Sequence, residues 1–275
     1  MRVPMNEEGD KRKVDLNWDD EHVLPAVLSP DTEFVFRRMT EETLRAAGVR
    51  NFLRVLDVGC GRAIDAAALF RRGGCLFGCE PSRVMLRKAS EGLRKSGEKV
   101  GLVGSLAEVL PFADQSFHRV VCKGAIDHFL SPDRAVGEMS RVVSPEGRVI
   151  ISVANFESLS CSLARGLNRL VRRIWRRDIP PPRIWEIPKD HTHKFDYPTI
   201  RFLAQKHLRV ESVHGVSLLW GFPRWSNFLK GIPRPLALIL LRSLDKIANW
   251  YPDWSDVLIL VGRPRDPHPG KERSS

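Results

Sequence analysis

Two carboxylates and two glycines, at fixed spacing, hold the most chemistry in this chain. The apolar run Val55-Leu56-Asp57-Val58 opens into Gly59-Cys60-Gly61, and the next apolar run ends in Glu80. Glycine lets backbone come close to a ligand, and a carboxylate at the end of a second strand can accept hydrogen bonds from both hydroxyls of a ribose. The third glycine of the dinucleotide fingerprint is missing, because the chain continues Gly61-Arg62-Ala63-Ile64-Asp65, so packing against a pyrophosphate is disfavoured. Asp57 points the same way, since it would repel phosphate and stabilise an ammonium or sulfonium cation. The pattern reads as a site for a cationic nucleoside.

Such a site needs strands to end beside one another with helices packed on both faces. Apolar runs predict strands at 53–58, 76–80, 100–103, 119–123 and 148–153, with helices at about 31–47, 63–72, 82–96 and 132–142. Ser144-Pro145-Glu146-Gly147 reads as a turn feeding the fifth strand. After Asn155 the alternation breaks, resumes as a helix from Tyr197 to His207 and a strand at 210–214, breaks again, and ends in a strand at 257–261. The expected fold class is α/β: a Rossmann-like, doubly wound, seven-stranded, mostly parallel sheet with an antiparallel last strand and helical lid insertions. The expected organisation is a flexible stretch over 1–20, one domain over 21–265 with insertions at about 155–197 and 217–254, and a disordered tail over 266–275.

The chain has 275 residues, 43% hydrophobic and 28% charged, enough for one core with an added subdomain, and its net charge of +11 favours anionic partners. Its five cysteines, Cys60, Cys75, Cys79, Cys122 and Cys161, are an odd number placed in or beside strands, which fits reduced thiols in a cytoplasmic protein. The opening residues lack a secretory apolar core, and the longest apolar run near 236–241 is cut short by Arg242.

Four motifs in order make the reading specific: Asp57-Val58-Gly59-Cys60-Gly61; Glu80-Pro81-Ser82; Leu110-Pro111-Phe112-Ala113-Asp114-Gln115-Ser116-Phe117; and Arg141-Val142-Val143-Ser144-Pro145-Glu146-Gly147. Together they resemble the small-molecule branch of the class I S-adenosylmethionine-dependent methyltransferases (methyltransferase type 11-like), strongly over 53–153. The resemblance implies S-adenosyl-L-methionine as cofactor. Gly59 and Gly61 would lie against its methionine part, Asp57 would hold its amino group, and Glu80 its ribose. Ser105, Leu106 and Ala107 would meet the adenine, with Cys60, Pro81 and Lys123 completing the expected cofactor site. Two positions depart from the family pattern. Leu106 stands where an Asp often binds the adenine amino group, leaving Ser105 or backbone to do so, and His118 stands where Asp is common.

Methyl transfer asks the protein to align a nucleophile and exclude water, and a hydroxyl or phenol acceptor also gains from a base. The catalytic candidates are Asp127 and His128 after the fourth strand, and His191 and His193 beyond the first insertion. No third ligand accompanies the His191-Thr192-His193 pair in sequence, so no metal is expected. The stretch from Ser158 to Arg177 spaces Leu159, Leu163, Leu167, Leu170, Val171, Ile174 and Trp175 helically among six arginines. It reads either as a lid packed on the core or as a peripheral contact with an anionic membrane. Trp220, Phe222, Trp225, Phe228 and the 236–244 segment would line an apolar acceptor pocket or form the lid's own core. Cys122-Lys123-Gly124-Ala125 replaces the motif of base-amine methylating enzymes, which argues against nucleic acid as substrate. The expected function is therefore methylation, on oxygen or carbon, of a small-molecule or lipid-linked acceptor. The competing reading is a non-catalytic cofactor-binding or membrane-peripheral interaction protein that keeps the fold.

Overall fold

A computed structural model describes residues 15–20, 28–176, 178–179, 184–186 and 191–265. The expected disorder of 1–14 and of the tail over 266–275 falls outside the described residues, as does Arg177. The elements alternate as α1 (Pro30–Ala47), β1 (Arg54–Val58), α2 (Ile64–Phe70), β2 (Cys75–Cys79), α3 (Arg83–Ser96), β3 (Val100–Val103), β4 (Phe117–Lys123), α4 (Pro132–Val142) and β5 (Val143–Ala154). They continue with α5 (Leu159–Trp175), α6 (Tyr197–His207), β6 (Leu208–Val216), α7 (Trp225–Gly231), α8 (Arg234–Trp250) and β7 (Val257–Pro264). The seven strands form one sheet in the order β3-β2-β1-β4-β5-β7-β6, with only β7 antiparallel to its neighbours. The expected doubly wound architecture with an antiparallel last strand is what the chain adopts.

Each face of the sheet has its own apolar core. One gathers Val136 and Met139 of α4 and Ile200 and Ala204 of α6 against Leu56, Val120 and Ile151. The other packs Val35 and Met39 of α1, Leu69 of α2 and Leu93 of α3 against Val55, Val121 and Ile150. Local signals set the helix starts: Ser82 accepts from the Met85 N–H, Ser131 from Arg134, Ser158 from Cys161, and Asp196 forms a capping box with Thr199.

Two expected boundaries shift. β5 begins at Val143, paired with Phe117, and resumes pairing at Arg148 opposite Arg119, so the expected turn over 144–147 is an outward bulge within the strand. Helix α2 starts at Ile64 because Ala63 is held at φ 57, a left-handed conformation that cannot continue a right-handed helix.

Both insertions leave the carboxyl ends of strands, β5 and β6, on the same edge of the sheet as the ends of β1 and β2. Their bases are tied together there: the Asn155 N–H donates to the Asp256 carbonyl, and the Asp256 N–H to that of Ser217. The inner side of the second insertion is its own core, with Leu229, Ala237 and Leu241 packed on Phe34 of α1. Among the described residues no helix is long and apolar enough to cross a membrane.

Candidate active site

The turn after β1 is knitted to the end of β2. The N–H groups of Gly59 and Cys60 donate to the Cys79 carbonyl at 2.8 and 3.0 Å. The Gly61 N–H donates to Glu80 Oε2 at 3.1 Å, and the Ser82 N–H donates to Oε1 at 2.9 Å. Gly59 sits at φ 70, and a Cβ there would come 2.6 Å from the Ala125 Cβ, so both conformation and space require glycine. Cys60 is a packing residue: its sulfur would lie 2.7 Å from a Cβ placed on Gly78, and burial pushes its thiol far up.

The floor of this turn is acidic. Burial, with help from the charge of Asp65 and against that of Lys123, pushes the Asp57 carboxyl up to about 8. Glu80 is also raised by burial, although the Ser82 and Gly61 N–H groups pull it back. Lys123 Nζ lies 2.7 Å from Asp65 Oδ2 and 2.7 Å from Thr40 Oγ1, so it pairs with α2 and α1 and reaches Asp57 only through space. Asp65 Oδ1 is buried without a hydrogen-bond partner among the described residues. Asp57 and Asp65 thus share one lysine, while Glu80 beside them is met by backbone N–H groups. A cationic ligand relieves that imbalance and a phosphate worsens it, so the residues fit a sulfonium nucleoside.

The expected adenine side is a loop braced from α4. The Ser105 hydroxyl donates to the Val109 carbonyl at 2.6 Å, so its proton serves the loop and its lone pairs and nearby backbone remain for a ligand. Leu106 is half-buried and Ala107 buried. Arg141, for which the sequence offered no role, donates to the carbonyls of Phe112 and Leu110 at 2.8 and 2.9 Å, while Glu138 Oε2 accepts from the Leu110 N–H at 2.8 Å. The Leu-Pro-Phe and Arg-Val-Val motifs occur together because one clamps the other. His118 accepts from the Arg54 N–H at the opposite end of β1, away from the site.

At the mouth, a short 3₁₀ turn after β4 presents Asp127 and His128. His191 Nδ1 lies 2.9 Å from Asp127 Oδ2, and the rings of His128 and His191 stand 4.5 Å apart. Burial alone would raise Asp127, but the hydrogen bond and charge of His191 overcome it and hold the carboxyl below its ordinary range. The Asp127 carbonyl accepts from the N–H groups of Thr192 and His193 at 2.8 and 3.0 Å, which carries His191 into place. The His193 ring turns instead toward Phe195. Asp127, His128 and His191, without His193, place three ligating atoms within 4.8 Å of one another.

Residues 15–20, expected to be loosely held, lie across this mouth. The Trp18 carbonyl accepts from the Ser82 hydroxyl at 2.6 Å, the Leu16 carbonyl from the Arg83 N–H, and Asp19 and Asp20 pair with Lys88 and Arg62. The Trp18 ring is 6.2 Å from that of His128. The acids that made this segment read as solvated are its anchors to α3.

A family model described as a methyltransferase domain matches residues 56–151. Residues 56–151 thus form a methyltransferase domain. The chain is 35% identical over 138 residues to methyltransferase GfsG of Streptomyces halstedii, covering 49% of this chain and 48% of that one. It is 31% identical over 103 residues to a ubiquinone biosynthesis O-methyltransferase of Agrobacterium fabrum, covering 38% and 41%. The chain thus spans about half the length of the curated relatives it matches, or less. A SAM-dependent methyltransferase from Aquifex aeolicus shares the fold with a TM-score of 0.51 at 16% identity, over 81% of this chain and 88% of that one. The matched span covers the methyltransferase domain from β1 to β5 and stops before both insertions.

Proposed function

We propose that the protein transfers the methyl group of S-adenosylmethionine to an apolar small-molecule or lipid-linked acceptor, at oxygen or at a carbon activated by an adjacent phenol. The cofactor supplies a methyl group already activated on a sulfonium. Asp57 holds the ammonium of that cofactor and Glu80 its ribose hydroxyls, with the backbone of Gly59 and Gly61 beneath. Ser105, Leu106 and Ala107 edge the adenine. His128 covers the mouth beside Trp18. His191, held through Nδ1 by Asp127, takes the acceptor's proton on Nε2. One base serves both outcomes, because a phenolate is nucleophilic at oxygen and at its ortho carbon, so the site itself does not choose between them. The quinone-type relative supports a phenolic acceptor.

The observation that supports this reading most is the pair of buried acids Asp57 and Glu80 at the glycine turn, with the half-buried Asp65 paired to Lys123 beside them. Titration calorimetry with S-adenosylmethionine and S-adenosylhomocysteine tests it, with binding of both expected and loss in Glu80→Ala. Incubation with methyl-labelled cofactor and cell extract is expected to label an organic-soluble product. Binding without any labelled product would leave the non-catalytic reading standing, and binding of neither compound would remove the enzyme reading.

A further inference from the structure

The outer side of the second insertion carries a surface that the proposed chemistry does not use. On α8, Leu236, Ile239, Ile247 and Trp250 recur at helical spacing and are all exposed, Trp250 at 74%, while Ala237, Leu241 and Ala248 face inward. The helix therefore has two apolar stripes, one in the lid core and one turned to solvent. The outer stripe runs into a 3₁₀ turn, Pro252–Trp254, where Tyr251 and Trp254 stack at 4.7 Å and both are exposed.

Its flanks are cationic. Arg234, Arg242 and Lys246 are exposed along α8, and the only acid of that helix, Asp245, is buried against Arg38. Helix α5 packs against the same 3₁₀ turn. From Leu159 to Trp175 it has no acid, its apolar residues Leu163, Leu170, Ile174 and Trp175 are exposed, and so are Arg169, Arg172, Arg173 and Arg176. Exposed acids border this surface, among them Asp253 in the turn, Glu157 paired with Arg165, and Asp178 held by Asn168 of α5.

We infer that α8, the aromatic turn after it and α5 form a docking surface for an anionic phospholipid bilayer, on which the protein lies without crossing. Apolar stripes flanked by guanidinium and ammonium groups sink to the headgroup level and pair with lipid phosphates. Tryptophan and tyrosine favour that boundary because each offers an apolar body and a polar edge. A second copy of this chain is the weaker occupant, since a symmetric contact would bring the same arginines face to face. The inference concerns where the protein sits and holds whether or not methyl transfer occurs.

Co-sedimentation of the full chain with phosphatidylcholine vesicles, with and without phosphatidylglycerol, tests it. Binding is expected only with phosphatidylglycerol and is expected to fall as salt rises. Replacing Arg169, Arg173, Arg242 and Lys246 by Gln should weaken it by about fivefold per charge. Trp250→Glu should weaken it further, and thermal melts should show that these surface variants still fold. Their affinity for S-adenosylhomocysteine should stay that of the parent, which separates this outcome from failure of the proposed activity. Equal binding to neutral and anionic vesicles, no binding to either, or a dimer abolished by Trp250→Glu would overturn the inference.

Discussion

At the ends of β1 and β2, the glycine turn is satisfied within one strand–helix–strand unit: Glu80 takes the N–H groups of Gly61 and Ser82, and Gly59 and Cys60 bond to Cys79. At the base of the second insertion, after β6, the anchors come from three separate segments, 28 to 190 residues away. Asp31 holds the Gly221 N–H at 3.1 Å, Asp245 the Ser217 N–H at 3.0 Å, and Asp256 the Trp220 N–H at 2.9 Å. The first region is a local device whose parts must appear together in any chain that uses it. The second is held by pairings between separate segments and lies beyond the span that the family model matches. A constant cofactor floor beside a variable roof lets one reaction meet different acceptors.

The largest expected effect lies where the two regions meet. His191 comes from the end of the first insertion, whereas Asp127 belongs to the fixed side, and their pairing is the proton-accepting device of the proposed reaction. Replacing His191 by Gln is expected to lower kcat with a hydroxyl acceptor by about 10²–10⁴-fold and to leave cofactor affinity unchanged. Asp127→Asn, a change in a positioning residue, should lower kcat with it and shift the acidic limb of the pH–rate profile. With the Asp127 Oδ2–His191 Nδ1 pair acting as the base, treatment with EDTA should leave the rate unchanged, even though Asp127 Oδ1 is buried without a hydrogen-bond partner among the described residues. A rate that collapses with EDTA and returns with a divalent cation would turn the three side chains into a metal site.

The fixed side should break under a single methyl group. Gly59→Ala places a Cβ 2.6 Å from that of Ala125 at φ 70, combining the cost of a left-handed alanine with overpacking, together roughly 3 kcal/mol. Thermal unfolding should show a lowered midpoint, and a variant as stable as the parent would mean that this turn yields more readily than its hydrogen bonds imply.

These contrasts explain what could be read from residues alone. The alternation of apolar runs and the four motifs located the sheet and the acidic floor, because the glycine turn and Glu80 belong to one strand–helix–strand unit. Arg141 was visible only as part of a motif. Its role depends on a guanidinium reaching two carbonyls about thirty residues back, which spacing does not encode. Asp127 and His191 could each be suspected, but not as a pair, since the distance between them is set by the Asp127 carbonyl catching the loop at Thr192. Asp15 to Asp20 misled because solvated acids and anchoring acids look alike in sequence. The outer stripe of α8 was hidden by its inner one: two apolar arcs on one helix read as a buried segment.

The acidic floor should also be visible as a pH effect on binding. Asp57 takes its proton at about 8 in the folded chain, above its value when unfolded. Its contribution to stability is therefore full at low pH, declines as pH rises from the carboxylate range, and is lost above about 8. Cofactor binding runs the opposite way, since a cation prefers the ionised carboxylate. Affinity for S-adenosylmethionine should rise by up to about tenfold per pH unit toward 8, then fall as the ligand's own ammonium loses its proton at roughly 8. Asp57→Asn should flatten the rising limb. An affinity independent of pH between 6 and 8, taken as roughly the window below that ionisation, would show that Asp57 stays charged without ligand.

The smallest effect concerns the variable side and has the opposite sign to Gly59→Ala. Gly166 lies within α5, where a Cβ would meet nothing within 4 Å. Alanine there limits the unfolded chain and favours the helix by roughly 0.5–1 kcal/mol. Because α5 is largely exposed beyond Val171, it is expected to open locally before the sheet does. The gain should appear as about two- to fivefold slower amide exchange along α5, with little change in the global melting midpoint. If the midpoint rose by the full amount, α5 would have to unfold together with the sheet, and the separation between a rigid floor and an independently built roof would not hold.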